Sequence, residues 1–256
     1  MADSTRDATW PPPTWQTDVY PHEDHAHNFY VAQSTTRPLA SILLLHEFPG
    51  IDGRITAFAD QLARSFRVVM PSIFGEDGDP HWKGSLRQIC VRREVHALAR
   101  EGVSKDVGWL KDFVDAHVST DRSAYGVVGM CFSGSFALAL AVDHRVKAAV
   151  VAQPAVPFWP PSALGLSSAD RNALAGRGDL CARGYRFTQD WKSPDAKLEA
   201  VKGLLGERAE VVRLASSDRA KHSTLTGVTA DEKARADVQS FLESALAPSA
   251  PPAGDG

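Results

Sequence analysis

Cysteine is scarce in this chain: Cys90, Cys131 and Cys181 are all that 256 residues contain. The number is odd and the spacing matches no metal-ligand pattern, so reduced thiols are expected rather than a disulfide framework. Charge of one sign is missing too. With 28 Lys and Arg against 31 Asp and Glu, the formal charge is −3 and the isoelectric point about 6.3, which offers no basic face to nucleic acid. No apolar run approaches the roughly 20 residues that cross a bilayer, so no membrane partner is indicated. The opening residues, MADSTRDATWPPPTW, have neither a basic start nor an apolar stretch, so no secretory signal is expected and cytoplasmic residence is the default. What remains is ordinary globular composition, 43% hydrophobic and 23% charged. That suits one sizeable α/β core. We expect a single domain over residues 1–256, with flexible tails at 1–17 and 247–256.

Short apolar runs alternate with amphipathic segments along the chain. Ser41 to His46, Arg67 to Pro71, Val146 to Gln153, Gly184 to Thr188 and Glu210 to Leu214 read as strands, several of them continuous enough to be buried on both faces. Between the first two, Ile55, Phe58, Ala59, Leu62, Ala63 and Phe66 recur at helical spacing. Further helices are expected over Leu86 to Arg100, around the stripe Val103, Val107, Leu110 and Val114, at Ser168 to Leu174, after a Ser193 cap with Pro194 first, and from Asp231 to Leu246. Strand, helix, strand in succession predicts a mostly parallel sheet with helices on both faces. Ahead of it, Asn28 to Ala32 alternates like an edge strand. The polar stretch His22 to His27 before it reads as a solvated hairpin turn, and no metal is assigned, because no second ligand cluster occurs elsewhere.

The chain is organised around Ala124 to Ala141, AYGVVGMCFSGSFALALA. An apolar strand runs into Gly129-Met130-Cys131-Phe132-Ser133-Gly134, and a small, apolar helix follows. Small residues on either side of one polar residue suit a sharp strand-to-helix corner, where larger side chains would collide. Cys131 falls at the apex, with the N–H groups of the next helical turn favouring its thiolate. Two more candidates follow later strands: Asp190 after Gly184 to Thr188, and His222 after Glu210 to Leu214. The order nucleophile, acid, base agrees with a Cys-His-Asp triad, in which a carboxylate orients the imidazole that takes the thiol proton.

The GMCFSG corner, Glu47 after the first buried strand, the FTQDWKSP segment and the Lys221-His222-Ser223 loop together resemble the dienelactone hydrolases. The likeness runs from about Ser41 to Leu246. It implies the three-layer α/β-hydrolase fold and hydrolysis of a small ester or lactone. No cofactor is expected, and the chain is expected to act as a monomer or homodimer. The resemblance implies Cys131 as nucleophile, His222 as base and Asp190 as acid. Glu47 then corresponds to the family's carboxylate beside the resting thiol, and the N–H groups of Phe48 and Phe132 to the oxyanion hole. A negative charge at Glu47 disfavours a second on Cys131 until substrate arrives.

Two positions depart from the family's pattern. Ser133 stands where Gly is usual, which predicts a tighter turn or a more polar pocket. Thr226, four residues after His222, stands where the family has an Arg for the substrate's carboxylate. Arg92, Arg93 and Ser223 are the substrate-binding candidates that remain, with Arg219 as a further replacement. The alternative to an enzyme is a non-catalytic small-molecule binding or sensor protein on the same fold. A redox enzyme is disfavoured because no second cysteine neighbours Cys131.

Overall fold

The computed structural model describes residues 10–23, 25–79, 105–155 and 159–247. An eight-stranded sheet runs through its centre in the order β1-β2-β4-β3-β5-β6-β7-β8. The strands are β1 (Gln16–His22), β2 (His25–Ala32), β3 (Ser41–Leu45), β4 (Arg67–Pro71), β5 (Tyr125–Met130), β6 (Val146–Ala152), β7 (Cys181–Phe187) and β8 (Ala209–Leu214). From β4 across to β8 all neighbours are parallel, while β1 and β2 pair antiparallel. The described helices are α1 (Gly53–Leu62), α2 (Lys105–Phe113), α3 (Gly134–Leu140), α4 (Ser168–Gly176), α5 (Asp195–Leu205) and α6 (Glu232–Leu246).

Burial on both faces explains the uninterrupted apolar strands. Leu43, Leu45 and Val127 pack with residues of α2, α3 and α5, whereas Ile42, Leu44 and Val128 pack with α1 and α6. Each such side chain, withdrawn fully from water, contributes roughly 1.5 to 3 kcal/mol. Helix α1 begins where Asp52 accepts from the Arg54 N–H at 2.9 Å, and it turns Ile55, Phe58, Ala59 and Leu62 inward. Helix α6 is capped likewise by Asp231 and buries Val238, Leu242 and Leu246. Among the described residues no helix is long and apolar enough to cross a membrane.

Three expectations change at the margins. The expected edge strand is an inner one: β1 lies outside it, joined by a hairpin in which His22 faces His25. Strand β1 was illegible because QTDVYPH has no apolar alternation; it forms by backbone pairing to β2, with Tyr20 packed on Trp109 and Phe113. Residues 10–17, expected as part of a tail, are packed against the body of the fold. Trp15 is buried, Trp10 and Trp15 pack on Tyr30, and the Trp15 indole donates to Asp60 at 2.7 Å. Finally, Pro194 rather than Ser193 precedes α5, because Ser193 is drawn inward and its carbonyl accepts from Arg186 at 2.8 Å. The helix expected over Leu86 to Arg100, with Cys90, Arg92 and Arg93, lies outside the described residues.

The parallel strands share one carboxyl edge, where ligands of such sheets gather. Glu47 follows β3, Cys131 follows β5, Gln153 follows β6, Asp190 follows β7 and His222 follows β8.

Candidate active site

Strand β5 turns into a single 3-10 turn, Cys131–Ser133, and then into α3. Cys131 sits at φ 52°, in the left-handed region that costs an L-residue roughly 1 kcal/mol or more. Several contacts hold it there. The Ser133 hydroxyl accepts from the Met130 N–H at 3.1 Å and lies 2.9 Å from the Leu45 carbonyl, to which it can donate. The Ala155 N–H donates to the Cys131 carbonyl at 3.0 Å. Gly129 is required by the crossing itself, since a Cβ there would lie 2.5 Å from the Ser133 carbonyl and 2.8 Å from the Ala137 Cβ. Ser133 is fully buried and spans the corner to β3, so it adds a tie to the neighbouring strand rather than polarity to the pocket.

Asp190 is 1% exposed in the turn after β7. Arg186 cradles that turn, donating to the carbonyls of Ser193 at 2.8 Å and Asp190 at 2.9 Å. One Asp190 carboxylate oxygen accepts from the Lys192 N–H at 3.0 Å, and the other accepts from His222 Nδ1 at 2.6 Å. The imidazole is thereby fixed with its Nδ1 proton on the carboxylate. Its Nε2 is buried and has no hydrogen-bond partner in this conformation. The ligand atoms of Glu47, Cys131 and His222 all lie within 4.8 Å of one another. Burial opposes a charge on His222, but Asp190 and the Cys131 sulfur outweigh it and push its pKa up to about 10. Imidazole, thiolate and carboxylate at this spacing are also the donors that could share a metal ion.

Glu47 is 8% exposed at the end of β3. One of its oxygens accepts from Ser223 Oγ at 2.7 Å and from Gln153 Nε2 at 3.4 Å, and the other accepts from Thr226 Oγ1. Gln153 is itself held, accepting from the Thr224 N–H at 3.2 Å and from the Thr224 hydroxyl. Sequence reasoning missed Gln153 and Thr224. The available signal for Gln153 was its position, directly after a buried strand, like Glu47 and Cys131.

Next to Glu47, His46 is fully buried. The Ile73 N–H donates to its Nε2 at 2.9 Å, which puts its proton on Nδ1, 3.1 Å from the Glu47 carbonyl. Burial pushes its pKa down from 6.5 to about 4, despite that carbonyl and the charges of Asp77 and Asp52. Unfolded, the same histidine takes its proton near 6.5. Between pH 6.5 and about 4 the unfolded chain therefore binds a proton that the native one does not, and stability falls as pH drops through that window. Thermal midpoints measured across it should decline for the wild type. The decline should be shallower in His46→Gln, and parallel curves would disprove the assignment.

A cavity of about 540 Å³ opens over these groups. Glu47, Cys131, His222 and Ser223 line it together with Phe48, Phe132, Ala155, Trp191, Lys192, Ala220 and Thr229. The structure thus brings together Cys131, Asp190, His222 and Glu47, with Phe48 and Phe132 on the same cavity. Ser223 also lines it, but its hydroxyl is engaged with Glu47. Thr226, at the family's Arg position, is 1% exposed and serves as a donor to the same carboxylate. Arg92 and Arg93 lie outside the described residues, and Arg219 is exposed and does not line the cavity.

A mostly parallel sheet of this order, with a corner-held cysteine and a carboxylate-bound histidine at its carboxyl edge, defines an α/β-hydrolase. The chain belongs to the dienelactone hydrolase family, whose model matches residues 27–173. It is 29% identical over 208 residues to a carboxymethylenebutenolidase of Rhodococcus opacus, covering 77% of this chain and 75% of that one. A Klebsiella pneumoniae structure assigned as a dienelactone hydrolase superposes with a TM-score of 0.62 at 16% identity, over 91% of this chain and 97% of that one. A dienelactone hydrolase-like promiscuous phosphotriesterase, P91, from metagenomic libraries gives 0.60 at 17% identity, over 90% and 99%. At such identities the two structures speak to fold alone.

Proposed function

We propose that this hydrolase cleaves a small carboxylic ester or lactone by a Cys131-His222-Asp190 triad. The observation that carries this reading is the state of His222: Nδ1 is committed to Asp190, while the buried Nε2 is unpartnered beside the sulfur at the apex of the corner. A thiolate at Cys131 attacks the acyl carbon, and the carbonyl oxygen becomes an oxyanion that the N–H groups of Phe48 and Phe132 would receive. Collapse breaks the acyl C–O bond, and the proton on Nε2 passes to the leaving alkoxide. In a lactone that alkoxide stays tethered to the acyl chain. Water, deprotonated by Nε2, then attacks the thioester, releases the carboxylic acid and returns the proton to the Cys131–His222 pair. The kinship with a carboxymethylenebutenolidase favours an unsaturated lactone among the substrates. The reduced nucleophile suits the cytoplasm, where thiols persist.

The direct test is to mix the protein with a panel of p-nitrophenyl esters and unsaturated lactones and quench early for peptide mass spectrometry. An acyl adduct on Cys131 that decays as product forms is the expected result. Turnover with the adduct on another residue, or no turnover across the panel, would reject the proposal.

A further inference from the structure

We propose that the cavity selects substrates whose acyl group is uncharged, because Glu47 is a carboxylate fixed beside the nucleophile with no ion-pair partner among the described residues. This rests on the hydrolase reading above and adds the charge class of the substrate. The hydrogen-bond donors to Glu47 are the hydroxyls of Thr226 and Ser223 and the amide of Gln153. All are neutral. They orient the carboxylate and stabilise its charge, but unlike a guanidinium they do not cancel it. Among the described residues no Lys or Arg forms an ion pair with Glu47.

Among the described residues the nearest group able to carry positive charge is the His222 ring, and Asp190, to which its Nδ1 is bonded, offsets that charge. Proton exchange between Cys131 and His222 leaves the sum over that pair unchanged. Lys192 is the one Lys or Arg among the described residues lining the cavity, and it is exposed to solvent, where screening weakens its reach. An acyl group bonded to Cys131 must lie within a few ångströms of Glu47, since the sulfur and the carboxylate are themselves within 4.8 Å. A second carboxylate there would meet like charge in a site shielded from water. The rest of the lining near the corner, Phe132, Ala155 and Phe48, is apolar and suits an uncharged chain.

Alkylation reads this charge preference without any need for turnover. The folded protein is treated with iodoacetamide, which is neutral, and in parallel with iodoacetate, an anion of similar size, and each modified peptide is quantified. Cys181, which is exposed, serves as the reference thiol in the same molecule. Relative to Cys181, Cys131 should discriminate against iodoacetate at least tenfold, and Glu47→Gln should remove most of that gap. A ratio at Cys131 equal to that at Cys181, or a gap unchanged in Glu47→Gln, overturns the proposal. Should that variant not fold, a matched pair of substrates decides in the wild type: mono-p-nitrophenyl glutarate against its methyl ester. The ester is expected to have a kcat/KM at least tenfold higher, and equal values overturn the proposal. If neither is cleaved while alkylation still discriminates, the hydrolase reading fails and the charge preference of the cavity stands.

Discussion

Replacing Cys131 by alanine is expected to lower ester or lactone turnover by about 10³-fold or more, with the fold intact. In the proposed mechanism the sulfur forms the acyl intermediate, so its loss removes the two-step route and leaves only the binding and polarising contributions of the cavity. The fold should survive because the corner is held by backbone and by Ser133: the Ala155 N–H on the Cys131 carbonyl, the Ser133 hydroxyl on Met130 and Leu45, and the close crossing at Gly129 are all independent of the thiol. Alanine also bears the left-handed backbone at φ 52° about as cysteine does. Steady-state hydrolysis and a thermal melt on the same preparation check both halves. A Cys131→Ala protein that turns over at the wild-type rate would end the thiol mechanism.

Asp190→Asn should cost about 10³-fold in kcat, although the substitution changes a single heavy atom. In the native site the carboxylate accepts from His222 Nδ1 at 2.6 Å and from the Lys192 N–H at 3.0 Å. An asparagine can keep the second bond through its carbonyl oxygen, but it then turns its NH2 toward Nδ1. The imidazole answers by moving its proton to Nε2, the nitrogen that in the proposed mechanism must be free to take a proton from the thiol. The same exchange removes one of the two groups, Asp190 and the Cys131 sulfur, that push the His222 pKa up to about 10, so that pKa should fall in the variant. Arg186 still binds the turn through the Asp190 and Ser193 carbonyls, which should preserve its shape. Kinetics together with an NMR titration of the His222 ring distinguish this from a merely structural role: turnover and the ring's pKa should drop together. Loss of turnover with an unmoved ring pKa would mean that Asp190 only braces the loop.

The alternation of buried strand and amphipathic helix was legible because it is local. Ile42 to Leu45 and Val127 to Val128 are apolar without a break since each run is covered on both faces, and α1 repeats its apolar residues at helical spacing since only one side meets the sheet. The corner at Cys131 was legible for the same reason: the steric demand that makes Gly129 necessary acts over a handful of residues. The placement of Glu47, Cys131, Asp190 and His222 on one edge followed from those strands and their parallel order. Strand β1 was not legible, because its pairing with β2 uses backbone groups that every sequence carries.

What the sequence by itself determined, then, was the order of elements, the corner and the edge on which the polar residues gather. Only the tertiary structure decided what each polar residue does there. Thr226 and Ser223 read as a lost substrate anchor and a substrate contact, yet both donate to Glu47 across 179 and 176 positions of chain. Gln153 joins them from 106 positions away, and Ser133 reaches back 88 positions to Leu45. A hydroxyl or amide has no periodicity to betray its partner. Hydrogen bonds are short and directional, so their partners are fixed only when packing of the two apolar layers sets the register of the loops to within a fraction of an ångström.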